Sequence, residues 1–173
     1  EADEVVIATG TWLGRLAKPH GVKTIVQAGR GYSFFVRPER TPSHPIYFPT
    51  QRVACTPIED PDGVAGLRVG GMMEFRRPKA PPDPRRIRAI VDAASPLLQG
   101  VDWEARTGEW VGSRPCTADG LPLVGPTKTP GVHVARGHGM WGIALGPLTG
   151  RLLAAQIARG ETSPLLPRLD PLR

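Results

Sequence analysis

Residues 136–150 read RGHGMWGIALGPLTG, and within them Gly137, Gly139 and Gly142 spell the G-x-G-x-x-G pattern of dinucleotide-binding loops. How this stretch is read decides the fold. In a Rossmann unit the glycines follow a strand and open a helix. A second parallel strand then follows, with an acidic residue about twenty positions on. Here GVHVA predicts a strand before the loop, and ALGPLTGRLLAAQIARG predicts a helix after it that stops at Gly160. The last condition fails. Beyond Gly160 only the Pro- and Leu-rich ETSPLLPRLDPLR remains, so Glu161 has no strand to present it. The match is therefore not read as a pyrophosphate site. Its local physics still suits an electron-rich ligand, because glycines admit close backbone approach and a helix start offers free N–H groups at the positive dipole end. A turn that merely packs a strand on a helix would use the same residues, and the loop alone does not separate the two readings.

Working outward, DEVVIATG near the start is a short β-branched run that predicts a strand buried on both faces. VKTIVQAGRGYSFFV predicts a strand with a bulge or close approach at Gly29 and Gly31. HPIYFPT, RVACTPI and GLRVGGMMEF follow at the spacing of consecutive antiparallel strands, with EDPDGVAG as a hairpin connection. Residues 84–95 predict a helix: Asp83 can cap it, Pro84 suits its first position, and Ile87, Ile90, Val91 and Ala94 recur on one face. ARTGEWVGSRP and LPLVG predict further strands, and Leu145, Leu148, Leu152 and Ile157 form the apolar stripe of the last helix. The pattern is α+β: an antiparallel sheet with one flanking helix, then strand, glycine loop and helix.

The composition excludes some classes. No apolar run reaches the roughly 18 residues of a membrane-spanning helix, and there is no charged-then-apolar leader. Cys55 and Cys116 lack metal-ligand or C-x-x-C spacing, which predicts two reduced thiols, no metal and a cytoplasmic setting. The net charge of +6 is concentrated in EFRRPKAPPDPRRIR at 74–88. Broken by prolines and carrying one aromatic, that run matches no nucleic-acid module and reads as a solvated face. It leaves peripheral contact with an acidic inner-membrane surface open, and its field would also favour anionic substrates.

Taken in order, DEVVIATGTW, GRGYSFFV, LRVGGMMEF, EWVGSRPCTADGLPLVG and VHVARGHGMWGIALGPLTGRLLA resemble the C-terminal half of the FAD-dependent D-amino-acid oxidase family, the bacterial D-amino-acid dehydrogenase branch above all. The resemblance implies FAD as cofactor. It also implies oxidation of the Cα–N bond of a small amino acid to an imine and 2-oxo acid, with hydride passing to the flavin and an electron acceptor of unknown kind. By resemblance, Arg114 in SRP matches the arginine that clamps the substrate carboxylate, work suited to a planar guanidinium fork. Met140 matches the loop position whose backbone carbonyl accepts from the substrate amine. Backbone N–H groups of Gly139, Met140, Trp141, Gly142 and Ile143 would face the flavin, Gly10 would allow close approach to it, and Trp12 would line the same region. Tyr47 matches an active-site tyrosine, with a plain core role equally open. His138 reads as a packed loop histidine, and Glu74 as a candidate for substrate preference.

The resemblance also implies a division: residues 1–20 as a closing strand of an FAD lobe, 21–111 as a substrate lobe, 112–160 as the return to the FAD lobe, and 161–173 as a tail. The region that grips the FAD pyrophosphate would precede the chain, so this fragment alone is expected to be inactive. Two other readings stay open: a flavoenzyme for secondary amines such as sarcosine, glycine or proline derivatives, and a non-catalytic binding module.

Overall fold

The computed structural model describes residues 2–173; residue 1, where the expected first segment begins, lies outside the described residues. The elements are β1 (Val5–Ile7), α1 (Leu13–Ala17), β2 (Val26–Val36), β3 (Ile46–Phe48), β4 (Val53–Glu59), β5 (Ala65–Phe75), α2 (Pro84–Ala94), β6 (Thr107–Thr117), β7 (Leu123–Pro126), β8 (Val132–Arg136) and α3 (Gly142–Arg159). The strands form a five-stranded sheet in the order β3-β4-β5-β2-β6 and a three-stranded sheet β1-β8-β7. The fold is α+β, as the pattern predicts. Internal contacts divide it into one unit of residues 1–29, 76–78 and 113–173 and another of 30–75 and 79–112. In the first unit Val22 and Val26 pack with Ile7, Leu13 and Ala17.

In the second unit, β4 and β5 form the expected hairpin, with Cys55 opposite Val69. Asp60 holds its turn by accepting from the backbone N–H groups of Asp62 and Val64. Tyr32, Phe34 and Val36 of β2, Val53 and Cys55 of β4, and Leu67 and Val69 of β5 meet Ile87, Ile90 and Ala94 of α2. Each large apolar side chain so buried contributes about 1.5–3 kcal/mol. Asp83 caps α2 by accepting from Arg85 N at 3.1 Å. The expected irregularity at Gly29 and Gly31 is absent, since β2 runs unbroken. It occurs in β5 instead, where Met72 is left-handed at φ 59°. That residue resets the alternation, so that Leu67 and Val69 face the core and then Glu74 does.

Glu74 is therefore not an open substrate selector. It is buried, accepting from Tyr32 Oη at 2.6 Å and from Arg86 Nε at 3.2 Å, with Arg30 Nη1 at 3.5 Å.

In the first unit, β1 runs parallel to β8, with Val5 beside Val132 and Ile7 beside Val134, and β7 is antiparallel to β8. Val5 and Val6 are exposed and Ile7 is buried, with β8 as the hydrogen-bonded neighbour of β1. The last helix also differs from its expected stripe: Leu145 and Leu148 are exposed, whereas Thr149 and Leu153 are buried and Leu152 and Ile157 flank them. The core it meets, Val124 and Leu166, lies along its second half. Gly160, at φ 66°, ends the helix by donating to Gln156 O. The tail then returns to the sheet. Pro171 is fully buried beside Gly125, and Arg173 donates to both carboxylate oxygens of Asp119, at 2.9 and 3.1 Å, and to the carbonyls of Leu121 and Pro122.

Candidate functional site

Because β1 and β8 are parallel neighbours, the turns that follow them leave the sheet at one edge. In open sheets that edge is where ligands bind. After β1 the chain turns through Gly10, at φ 57°, into a 3₁₀ turn ending at Trp12. After β8 it turns through Gly137 and Gly139, at φ 84° and 55°, into the 3₁₀ turn Gly139–Trp141 and then α3. Packing accounts for Gly137, where a Cβ would lie 2.8 Å from Thr117 Cγ2. Gly10 has nothing within 4 Å of that position, so its own turn faces open space. Around these turns stand Trp12, Met140, Trp141 and Ile143, with exposures of 56, 63, 63 and 96%. Together they make an apolar, partly aromatic rim.

His138 fastens the loop to α3. Its Nε2 lies 2.9 Å from Thr149 Oγ1, and that hydroxyl donates to the carbonyls of Leu145 and Gly146. With the hydroxyl proton so used, Nε2 is the donor and Nδ1 the unprotonated nitrogen of the neutral ring. Burial pushes the His138 pKa below its ordinary value, which keeps the ring neutral at pH 7. It is a strut.

Arg114 sits half-buried on β6, two residues before Cys116, which forms an antiparallel bridge with His138. Among the described residues it has no hydrogen-bond or ion-pair partner, so its guanidinium fork is available to an anion. Tyr47 is exposed on β3 in the second unit, whereas Arg114, Gly10, Trp12 and the 139–143 residues all belong to the first. Both cysteines are free, and burial pushes the Cys55 thiol up to about 11. Among the described residues no group of three or more His, Cys, Asp or Glu could hold a metal.

Sequence reading did not single out Arg136. It closes β8 on the same face as Val132 and Val134, is 2% exposed, and none of its three guanidinium nitrogens has a hydrogen-bond partner among the described residues. Burial alone pulls its pKa down to about 10, with no charged neighbour opposing. The signal was present in VHVAR, since period-two alternation places Arg136 on the apolar face. Thr11 Oγ1, in the turn after β1, is likewise buried without a partner.

The pattern of the FAD dependent oxidoreductase family matches residues 1–156. The chain belongs to this family. Among relatives of this FAD-dependent oxidoreductase chain, a D-amino acid dehydrogenase of Allorhizobium ampelinum is 31% identical over 164 residues, covering 93% of this chain and 38% of that protein. Glycine oxidase of Geobacillus kaustophilus superposes with a TM-score of 0.75 at 28% identity, covering 99% of this chain and 46% of that one. L-proline dehydrogenase of P. horikoshii shares the fold, with a TM-score of 0.76 at 20% identity over 98% of this chain and 46% of that one. The chain thus spans less than half the length of these proteins. Its residues fit a flavin: the open turn at Gly10, an apolar, partly aromatic rim, and two buried polar groups without partners among the described residues stand at one sheet edge. No helix among the described residues is long and apolar enough to cross a membrane.

Proposed function

We propose that the whole protein to which this chain belongs oxidises the Cα–N bond of a small amino acid, the D-enantiomer preferred, to an imine that water hydrolyses to a 2-oxo acid. The observation that carries this reading is Arg114: a half-buried guanidinium with no partner among the described residues, on the strand whose Cys116 bridges to the glycine loop at His138. A planar fork of this kind binds a carboxylate through two parallel hydrogen bonds and fixes the Cα relative to the loop. FAD, when bound, supplies the acceptor for the Cα hydride.

In this reading the chain's residues bind, orient and exclude water. Arg114 holds the carboxylate, the Met140 carbonyl accepts from the amine, and those N–H groups of 139–143 not already bonded within the loop, as Trp141 N is to His138 O at 2.9 Å, would face the flavin ring. Gly10 lets the cofactor approach the backbone, while Trp12, Trp141 and Ile143 shield the reacting atoms from water. His138, neutral and donating to Thr149, holds the loop and moves no proton. The likeness to a glycine oxidase at 28% identity supports a second reading, in which the substrate is a secondary amine or glycine derivative.

The test is dye reduction by the full-length holoprotein with D-amino acids, L-amino acids, glycine, sarcosine and proline. Bleaching of the flavin by D-amino acids is expected, and preference for sarcosine or proline would favour the second reading. Absence of flavin, or no reduction by any of these amines, overturns both.

A further inference from the structure

Two polar groups at the cofactor edge lack partners, and one of them is a full positive charge. Arg136 is sealed: its Nε, Nη1 and Nη2 are enclosed by protein and, among the described residues, make no hydrogen bond and have no carboxylate within ion-pair distance. An uncompensated buried cation is costly to a fold. It is not a contact site either, since no surface opens onto its nitrogens. What an enclosed charge supplies is a field, and salt screens that field far less than one from an exposed side chain.

Resting on the FAD reading above, we propose that Arg136 tunes the cofactor's electron affinity through space, by holding an unneutralised positive charge immediately behind the 137–143 loop. In the proposed reaction the neutral amine gives up its Cα hydrogen with both bonding electrons. The nitrogen becomes an iminium cation, and the cofactor gains one unit of negative charge. A fixed positive charge nearby stabilises that product relative to the oxidised form. At an effective dielectric of about 20, a unit charge about 10 Å away changes such an equilibrium by more than tenfold. The guanidinium stays charged at pH 7 despite its burial, because a pKa of about 10 still lies well above neutrality. Arg136 thus acts through the field while the loop N–H groups act through contact.

The experiment uses the full-length holoprotein and its Arg136→Met, Arg136→Gln and Arg136→Lys variants. Flavin midpoint potential, sulfite affinity and thermal unfolding are measured for each. Both neutral variants are expected to disfavour reduction by about tenfold or more, which is about 30 mV for a two-electron couple. They should also bind sulfite about tenfold more weakly, because the adduct carries the same negative charge. The lysine variant should stay within about threefold of wild type on both measures, and the methionine variant should unfold at a higher temperature than wild type. Neutral variants that retain FAD with wild-type potential overturn the proposal. So does a lysine variant that behaves like the methionine one, since hydrogen-bond shape rather than charge would then matter. Loss of FAD from both neutral variants, with the lysine variant retaining it, also overturns it, because the charge would then bind rather than tune. A wild type without flavin defeats the proposed function as well, whereas a yellow wild type indifferent to the charge defeats this inference alone.

Discussion

Arg30 and Arg136 are both buried arginines on strands, and the protein treats them in opposite ways. Arg30 has Glu74 Oε1 3.5 Å from its Nη1, donates Nη2 to Pro81 O at 3.3 Å, and lies 5.8 Å from the Tyr32 ring centroid. Around it Tyr32 donates to Glu74, Arg86 adds a second cation to the same carboxylate, and Asp83 N donates to Tyr32 Oη. Burial, then the bond to Glu74, pushes the Tyr32 phenol up, so it stays a donor throughout the physiological range. Arg136 has none of this. A buried charge that is paired and bridged ties elements together, while one left bare costs stability and so points to work done elsewhere.

The comparison breaks most readily at Glu74. Glu74→Gln, which strands Arg30, should lower unfolding free energy by about 3–5 kcal/mol in urea titration. No change would mean that the two arginines differ less than their partners suggest. Next comes Arg114, a third arginine, half-buried and open. Arg114→Ala should lower kcat/KM of the full-length enzyme for its amino-acid substrate about a hundredfold, close to 3 kcal/mol, with unfolding unaffected. Opposite in sign, Arg136→Met should raise unfolding free energy by about 1–2 kcal/mol, since an apolar side chain replaces a bare buried charge. The smallest effect belongs to Arg173, exposed and fully bonded. Arg173→Ala should cost about 0.5–1 kcal/mol. Asp119, whose pKa Arg173 draws down to about 2, supplies that stability above about pH 4 and loses it as pH falls from about 4 to 2. The acid limb of wild-type unfolding should show the loss, and the Arg173→Ala limb should not.

Local chemistry was legible in the sequence wherever short-range rules suffice. Asp83-Pro84 announced α2, Gly160 ended α3, and the turn around Gly63 marked the β4–β5 hairpin. The turn at Gly137 and Gly139 was legible because its glycine motif is local too. What lay hidden depends on distant partners or on strain. The left-handed Met72 has no marker in GLRVGGMMEF, where two glycines invite the irregularity to be placed elsewhere. Glu74 read as a solvent or substrate group because Tyr32 and Arg30, which claim it, lie far away in sequence. The five-residue α1 is too short for any periodicity to declare itself. Arg136 escaped because a charged residue closing a strand is exposed by default.

The pairing of Val5 with Val132 also sets an order of assembly. The edge that carries the Gly10 and 137–143 turns cannot close until β8 has left the ribosome, since its two parallel strands, β1 and β8, are separated by most of residues 5–136. The hairpin and helix of residues 30–112 have all their core residues in hand well before that. Synthesis therefore completes the core of residues 30–112 before β1 can meet β8. Pulse-labelled hydrogen exchange during refolding should show β4 and β5 protected before β1.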